Sequence, residues 1–300
     1  MTKLNITVLQ AYTLYRSYQE WYENFDGMSA VEVAYSVSLP EFDGIIHSCP
    51  VTTMERDAEG KQVTQTIAER MNMLVRKAKK LALLRIKPNA EKKIAIVFHN
   101  HPSTNSNIGS CSAIDSIESV RLLLQDLRDA GYVVDHIPAD RQEFIDELIA
   151  GATNDRDYMS EKQIDNADAK LLVSAYRDYY RTLPEKVQQR LAQDWGEAPG
   201  EVFLYDDFLL IPGTMNGNIF ITMQPPRGFG EDPDKIYHSP DCAPTHHYIG
   251  FYHWLRDIWG ADAMMHIGTH GSLEWLPGKG VANAIPISVP VICLMFILIG

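Results

Sequence analysis

The run KIAIVF at Lys93–Phe98 decides the fold. Five of its six residues are apolar and three are Ile or Val, the composition of a strand buried on both faces. A loop rich in Asn, Ser, Pro and Gly follows at His99–Ser110. Over 113–130, Ile114, Ile117, Val120, Leu124 and Leu127 recur at helical spacing, and Gly131 stands where a glycine ends such a helix. Tyr132–Ile137 then reads as a returning strand. Strand, loop, helix, strand is a βαβ unit, so the expected class is α/β, with Rossmann-like parallel sheets and flanking helices. Such sheets bind ligands beyond the C-terminal ends of their strands, which places His99 and His101 at a candidate edge. A loop histidine that is simply solvated fits them equally.

Before this unit, Ile6–Leu9 and Gly44–His47 look like pieces of an α/β lobe without its beginning. Residues 64–85 put Ile67, Met71, Leu74, Ala78, Leu81 and Leu84 on one helix face. Residues 61–93 carry ten Lys or Arg against two Glu; the plain reading is a solvated basic face, the other a docking surface for an acidic partner. Beyond the unit, 141–195 reads as helical, with Leu171, Leu172, Ala175, Tyr176 and Tyr179 in one stripe. Pro184 reads as the first residue of a helix that ends at Gly196. Phe203–Ile211 and Asn218–Met223 read as the arms of a long-looped hairpin. A Pro-rich loop (224–244), a helix at about 246–259 and a strand at 261–267 complete the pattern. Three segments are expected: 1–88, the end of an α/β lobe with a basic connector helix; 89–281, an α/β core; and 282–300, an apolar tail.

The chain has 300 residues and a formal charge of −12, which disfavours nucleic acid or an anionic membrane as partner. Its N-terminus shows no signal-peptide pattern. The apolar run Ile285–Ile299 contains Pro286 and Pro290 and falls short of the roughly 20 residues a spanning helix needs. Four cysteines without a CxxC pair suggest free thiols in a reducing compartment, hence the cytoplasm.

Six of the ten histidines lie within 238–270. His266 ends an apolar strand, and Gly268 and Gly271 bracket a turn in which a ligand can approach the backbone. His270 and Glu274 are four apart and share a face if the turn runs into a helix. Imidazole with carboxylate suits borderline divalent metals and moves protons near neutral pH. The plainer alternative is a core histidine at a strand end and a solvated acid. Arg227, between Pro226 and Gly228, is placed to grip a carboxylate in two-pronged fashion. His246 and His247 fall at a helix start, where they either cap the helix or meet a ligand. No HExxH or GxSxG occurs. Leu273 and Gly280 depart from a Walker A around Pro277-Gly278-Lys279, so any ATP is bound elsewhere.

These residues sit in stretches that resemble one known family. SLPEFDG (38–44), RIKPNAEKKIAIVFHNHP (85–102), NIG (107–109), GNIFITMQPPRGFGEDP (217–233), YHSPDCAPTHHYIGFYHWL (237–255) and WGADAMMHIGTHGSLEWLPGKG (259–280) are similar to the large subunits of cobalt and magnesium chelatases, the CobN/magnesium chelatase H family. The resemblance runs from about Leu4 to Val281, and QPPRG and LEWLPGK are closer to its cobalt branch. It implies insertion of Co²⁺, as substrate metal, into hydrogenobyrinic acid a,c-diamide on the aerobic route to cobalamin. ATP would be hydrolysed by a separate AAA+ subunit acting with a third subunit. It also implies roles: His270 and Glu274 for metal delivery and proton removal, and His266 as a further metal ligand. Gln224, Arg227, His246, His247, Gly268, Gly271 and Lys279 would lie at the macrocycle. The alternatives are a magnesium chelatase H subunit acting on protoporphyrin IX, or a truncated module that binds tetrapyrrole or metal without turnover. Family members are far longer, so the chain reads as an internal slice of an incomplete multi-lobe protein. The uncharged stretch ANAIPISVPVICLMFILIG (282–300) stands where the family continues with polar sequence.

Overall fold

A computed structural model describes residues 6–24, 26–45, 47–112, 114–228 and 242–268, and the backbone of 293–294. Its contacts divide the chain into two compact units, with the boundary between Arg85 and Ile86.

The first unit comprises β1 (Leu9–Leu14), α1 (Tyr18–Glu23), α2 (Ala30–Val33), a π-helical turn (Ala34–Ser38), α3 (Leu39–Phe42), β2 (His47–Arg56), β3 (Gln62–Thr66) and α4 (Ala68–Ile86). β1 pairs parallel with β2, and β2 pairs antiparallel with β3. Leu14, Trp21, Met28 and Ile67 form the core. Ser17 with Glu20, and Ser29 with Glu32, build capping boxes that satisfy the first N–H groups of α1 and α2. Glu32 does a second task. Burial would push its carboxyl up, but the Ser29 amide and hydroxyl, the Tyr15 amide and Arg16 together hold it below the usual value. The expected apolar stripe of α4 is only half-buried at Met71, Leu74, Leu81 and Leu84, and Ala78 is exposed. Arg76, Lys79 and Arg85 face solvent.

The second unit contains β4 (Ile94–Phe98), α5 (Ser116–Asp129), α6 (Arg141–Ala150), α7 (Glu161–Asp165), β5 (Lys170–Leu172), α8 (Val173–Arg181) and α9 (Glu185–Trp195). It continues with β6 (Leu204–Tyr205), β7 (Phe208–Leu210), β8 (Thr214–Asn216), β9 (Ile219–Met223), α10 (His246–His253), a π-helical turn (Trp254–Ile258), β10 (Ala263–Ile267) and β11 (Cys293–Leu294). One sheet has the order β11-β10-β4-β9-β8, parallel except for the β8–β9 hairpin; another runs β5-β7-β6. The chain is therefore α/β, as KIAIVF implies. β4 and β9 are buried at every residue, so the central sheet is covered on both faces.

Two local expectations fail for physical reasons. Tyr132–Ile137 is extended but joins no ladder, because the places beside β4 belong to β9 and β10, strands more than a hundred residues away. Its backbone is tied instead by one carboxamide: Asn216 accepts from the His136 amide at 2.9 Å and donates to the His136 carbonyl at 2.7 Å. Similarly, 203–223 is two hairpins in two sheets, because the Thr-Met-Asn of the supposed link is itself β8. Leu171 and Leu172 belong to β5, not to the helix that follows, and Pro184 stands at the cap position just before α9. Gly131 meets its expectation with φ 85° directly after α5.

Candidate functional site at the C-terminal edge of the parallel sheet

Register places the chemistry. On the three central strands Val97, Thr222 and His266 stand abreast. Side chains alternate along a strand, so these three share a face with Ala95, Phe220 and Met264 behind them. The ladder continues past the strand ends, where the Gln224 amide donates to the Phe98 carbonyl and the His99 amide to the Ile267 carbonyl, each at 2.8 Å. Gln224 and His99 thus stand abreast on the same face, one step beyond His266.

α10 roofs that face. Thr245 caps it, its hydroxyl accepting from the Tyr248 amide at 3.0 Å. All eight of its residues are buried, so it is a central helix with no solvent side. Phe220 meets Trp254 at 5.0 Å between ring centroids, and Tyr252 lies over His266 at 6.1 Å and 24°. The Gln224 carboxamide donates to the Tyr252 hydroxyl at 2.9 Å, and its backbone carbonyl accepts from Asn154 at 2.8 Å.

His266 is only 8% exposed, and its Nε2 is buried with no hydrogen-bond partner among the described residues. Burial, aided by the neighbouring His99, lowers its pKa to about 4, so the ring is neutral at physiological pH. A neutral imidazole with an unengaged nitrogen is a metal donor or a proton acceptor. Arg227 is 1% exposed and donates from Nη2 to the Cys242 carbonyl at 3.0 Å.

His246 and His247 are engaged differently. His246 Nε2 donates to the Gly196 carbonyl at 2.9 Å, and its Nδ1 meets the Tyr176 hydroxyl at 2.8 Å. His247 Nε2 donates to the Leu210 carbonyl at 2.7 Å, and burial drives its pKa down to about 4. These rings tie α10 to α8, α9 and β7. Gly268 directly follows β10 in the row of His99. His270, Gly271, Glu274 and Lys279 lie outside the described residues. So the structure brings together His266 and Gln224, adds His99, Tyr248 and Tyr252, and sets the His246 and His247 rings against other elements. The tyrosines and Asn154 leave no spacing signal in the sequence, whereas His99 is legible as a strand-end residue.

The opposite face is apolar. Phe98 packs edge-on to Phe144 of α6 at 6.3 Å, and a mainly apolar cavity of about 320 Å³ lies between α5 and β10, lined by Val120, Leu123, Met265 and Ile267 together with Ser119 and Asp126 of α5. Among the described residues, a surface group of His136, Glu143 and Glu147 also brings potential ligand atoms within 4.8 Å of one another. No described helix is long and apolar enough to cross a membrane. The run Ile285–Ile299 lies outside the described residues apart from the backbone of β11.

A mostly parallel sheet, covered on both faces, with polar side chains gathered at its C-terminal edge defines an α/β protein of the class whose ligands, where they have them, sit at that edge. The chain belongs to the CobN/magnesium chelatase family, whose profile matches residues 1–297. It is 41% identical over 290 residues to protein MJ0908 of Methanocaldococcus jannaschii, with 94% of this chain and 24% of that one covered. To the aerobic cobaltochelatase subunit CobN of Pseudomonas aeruginosa it is 35% identical over 283 residues, covering 92% and 22%. The solved catalytic subunit of cobaltochelatase from Mycobacterium tuberculosis superposes with a TM-score of 0.82 at 34% identity, covering 96% of this chain and 24% of that one. The chain therefore spans about a quarter of the length of the relatives it matches.

Proposed function

We propose that this chain is part of the large, tetrapyrrole-binding subunit of a cobalt chelatase, which inserts Co²⁺ into hydrogenobyrinic acid a,c-diamide. The observation that carries the reading is His266, a buried neutral imidazole whose Nε2 has no partner among the described residues, at the edge of a parallel sheet where such folds bind ligands. Inserting a divalent metal into a macrocycle requires that the ion shed water stepwise and that two pyrrolic protons leave. A neutral imidazole serves either need, and it suits Co²⁺ better than Mg²⁺, which prefers oxygen ligands.

In this reading His270 and Glu274, which follow β10 in the sequence, take the metal onward and remove protons. Arg227 and Lys279 meet carboxylate arms of the macrocycle, Gln224 meets its amides, and Gly268 and Gly271 let it approach the backbone. His246 and His247 act as supports, holding α10 and its tyrosines over the sheet. An AAA+ partner and a third subunit supply ATP hydrolysis, consistent with a sequence lacking a Walker A, and the complex works in the cytoplasm.

The test is to titrate the chain with the corrin precursor and with protoporphyrin IX, following emission of Trp254 and Trp259, which flank the α10 side of the sheet. The corrin precursor is expected to quench, and Arg227→Gln to weaken that binding about tenfold, the loss of a charge-assisted contact. Tight binding of protoporphyrin with none of the corrin precursor would replace the cobalt reading by the magnesium one. Adding the ATPase subunits then separates turnover from mere binding.

A further inference from the structure

The strand-end row holds a second imidazole. His266 pairs with Val97, and His99 lies two residues beyond Val97, so His99 and His266 are diagonal neighbours on one face of adjacent parallel strands. The bond from the His99 amide to the Ile267 carbonyl keeps His99 in the ladder and fixes where its side chain starts. Diagonal neighbours on paired strands have Cβ atoms about 7 Å apart. Two imidazoles reaching inward from that separation can share one ion, since metal–imidazole bonds of about 2 Å place the two nitrogens about 3.3 Å apart.

The surroundings favour such sharing. The position abreast of His99 on the β10 side is Gly268, which has no side chain to intervene. The other neighbours abreast, Val97, Thr222 and Gln224, are not acidic, so no carboxylate from these strands neutralises a bound cation or supplies the hard oxygen that Mg²⁺ demands. Tyr252 stacks over His266 and restrains its ring, while the buried Nε2 of His266 has no hydrogen-bond partner among the described residues. The influence of His99 on the His266 ring shows the two to be electrostatic neighbours.

We infer that His99 and His266 together form a two-imidazole docking site that selects a borderline divalent metal, Co²⁺, over Mg²⁺ before insertion. The inference rests on the chelatase reading and deepens it, because the two nitrogens make metal choice a property of this sheet edge. Softer nitrogen donors favour Co²⁺ over Mg²⁺ irrespective of which macrocycle is bound.

The experiment is a Co²⁺ titration of the whole chain, read by the visible ligand-field absorption of bound Co²⁺ and repeated with Mg²⁺ in large excess. Wild type should bind Co²⁺ with no competition from Mg²⁺. His99→Ala and His266→Ala should each weaken Co²⁺ binding about tenfold or more and alter the spectrum. His99→Gln, which keeps a polar side chain but removes the imidazole, should behave like His99→Ala, and unchanged Trp254 emission checks that the fold is intact. If only His266→Ala weakens binding, the pairing with His99 is overturned while the chelatase reading stands. If neither variant matters, or if Mg²⁺ competes at equal concentration, the docking site is overturned, yet quenching by the corrin precursor still supports the chelatase. Loss of both Co²⁺ and corrin binding in the wild type overturns the two together.

Discussion

Acidifying the protein should destabilise its second unit through His247 by an amount that follows from burial. The ring is fully buried, and its pKa falls from an ordinary value of about 6.5 to about 4. Because the folded value is the depressed one, the unfolded chain binds the extra proton between roughly pH 6.5 and 4. Stability from this group is therefore complete above about pH 6.5 and is lost as pH falls toward 4. Between about pH 7.5 and 5 the loss comes to about 2 kcal/mol, and it saturates near 3 kcal/mol at lower pH. His246 and His266 are shifted in the same direction, so the wild type alone does not isolate the effect. His247→Gln does, because a Gln amide keeps a donor for the Leu210 carbonyl and does not titrate. Urea unfolding followed by tryptophan emission at both pH values gives the comparison. The variant should lose about 2 kcal/mol less than wild type on acidification. If the two lose stability in parallel, buried His247 is not the proton-linked group and the assignment of its neutral state is wrong.

Three further outcomes are expected. Gly217 has φ +65°, and a Cβ there would stand 2.5 Å from the Val133 carbonyl oxygen, a backbone atom that cannot step aside. Gly217→Ala should cost about 2–3 kcal/mol in thermal or urea unfolding, whereas Gly131→Ala, at φ +85° with open space around it, should cost about 1 kcal/mol. Thr245→Ala removes the cap of α10 and should cost about 1 kcal/mol, with a matching loss of the quenching response if α10 positions its tyrosines over the site. Asp262 accepts from Lys87 Nζ at 2.6 Å and from the Lys93 amide at 2.8 Å at the entry to β4. Asp262→Asn keeps an acceptor for only one of them well and should lower stability by about 1 kcal/mol, an effect reduced by salt.

How much of this was legible depends on the range of the interaction. KIAIVF shows a doubly buried strand because burial on both faces is written into a single segment. Its neighbours are not, since β9 and β10 lie far along the chain and no local periodicity encodes which strands they flank. YVVDHI carries a strand-like pattern, with Val134 buried, yet one Asn216 carboxamide replaces the ladder. The site divides the same way. His266 and Gln224 stand out as polar residues ending apolar strands. The tyrosines of α10 do not, because a helix buried all round, with histidines and tyrosines mixed among its apolar residues, has no stripe to tell which side meets the sheet. His246 and His247 show as histidines at a helix start, but their burial and their bonds to Gly196, Tyr176 and Leu210 depend on elements 37 to 70 residues distant.

The placement of the site is finally a matter of register. On the three central strands one face carries Ala95, Val97 and His99 with Phe220, Thr222 and Gln224 and with Met264 and His266. The other carries Ile94, Ile96 and Phe98 with Ile219, Ile221 and Met223 and with Ala263, Met265 and Ile267. The polar side chains of these three strands thus lie on the face toward α10, where the Gln224 carboxamide donates to the Tyr252 hydroxyl, and the strand face toward α5 and α6 is wholly apolar. Slipping β10 by a single residue would turn His266 into the apolar layer, where the aromatic contact of Phe98 with Phe144 and the Val120–Leu123 wall offer it no partner. An unpartnered polar group buried there would cost about 1–3 kcal/mol. The same slip would withdraw three apolar side chains, Ala263, Met265 and Ile267, from that layer. The energetics that fix the strand pairing therefore also fix the imidazole at the C-terminal edge of the sheet, so folding and assembly of the candidate site are selected together.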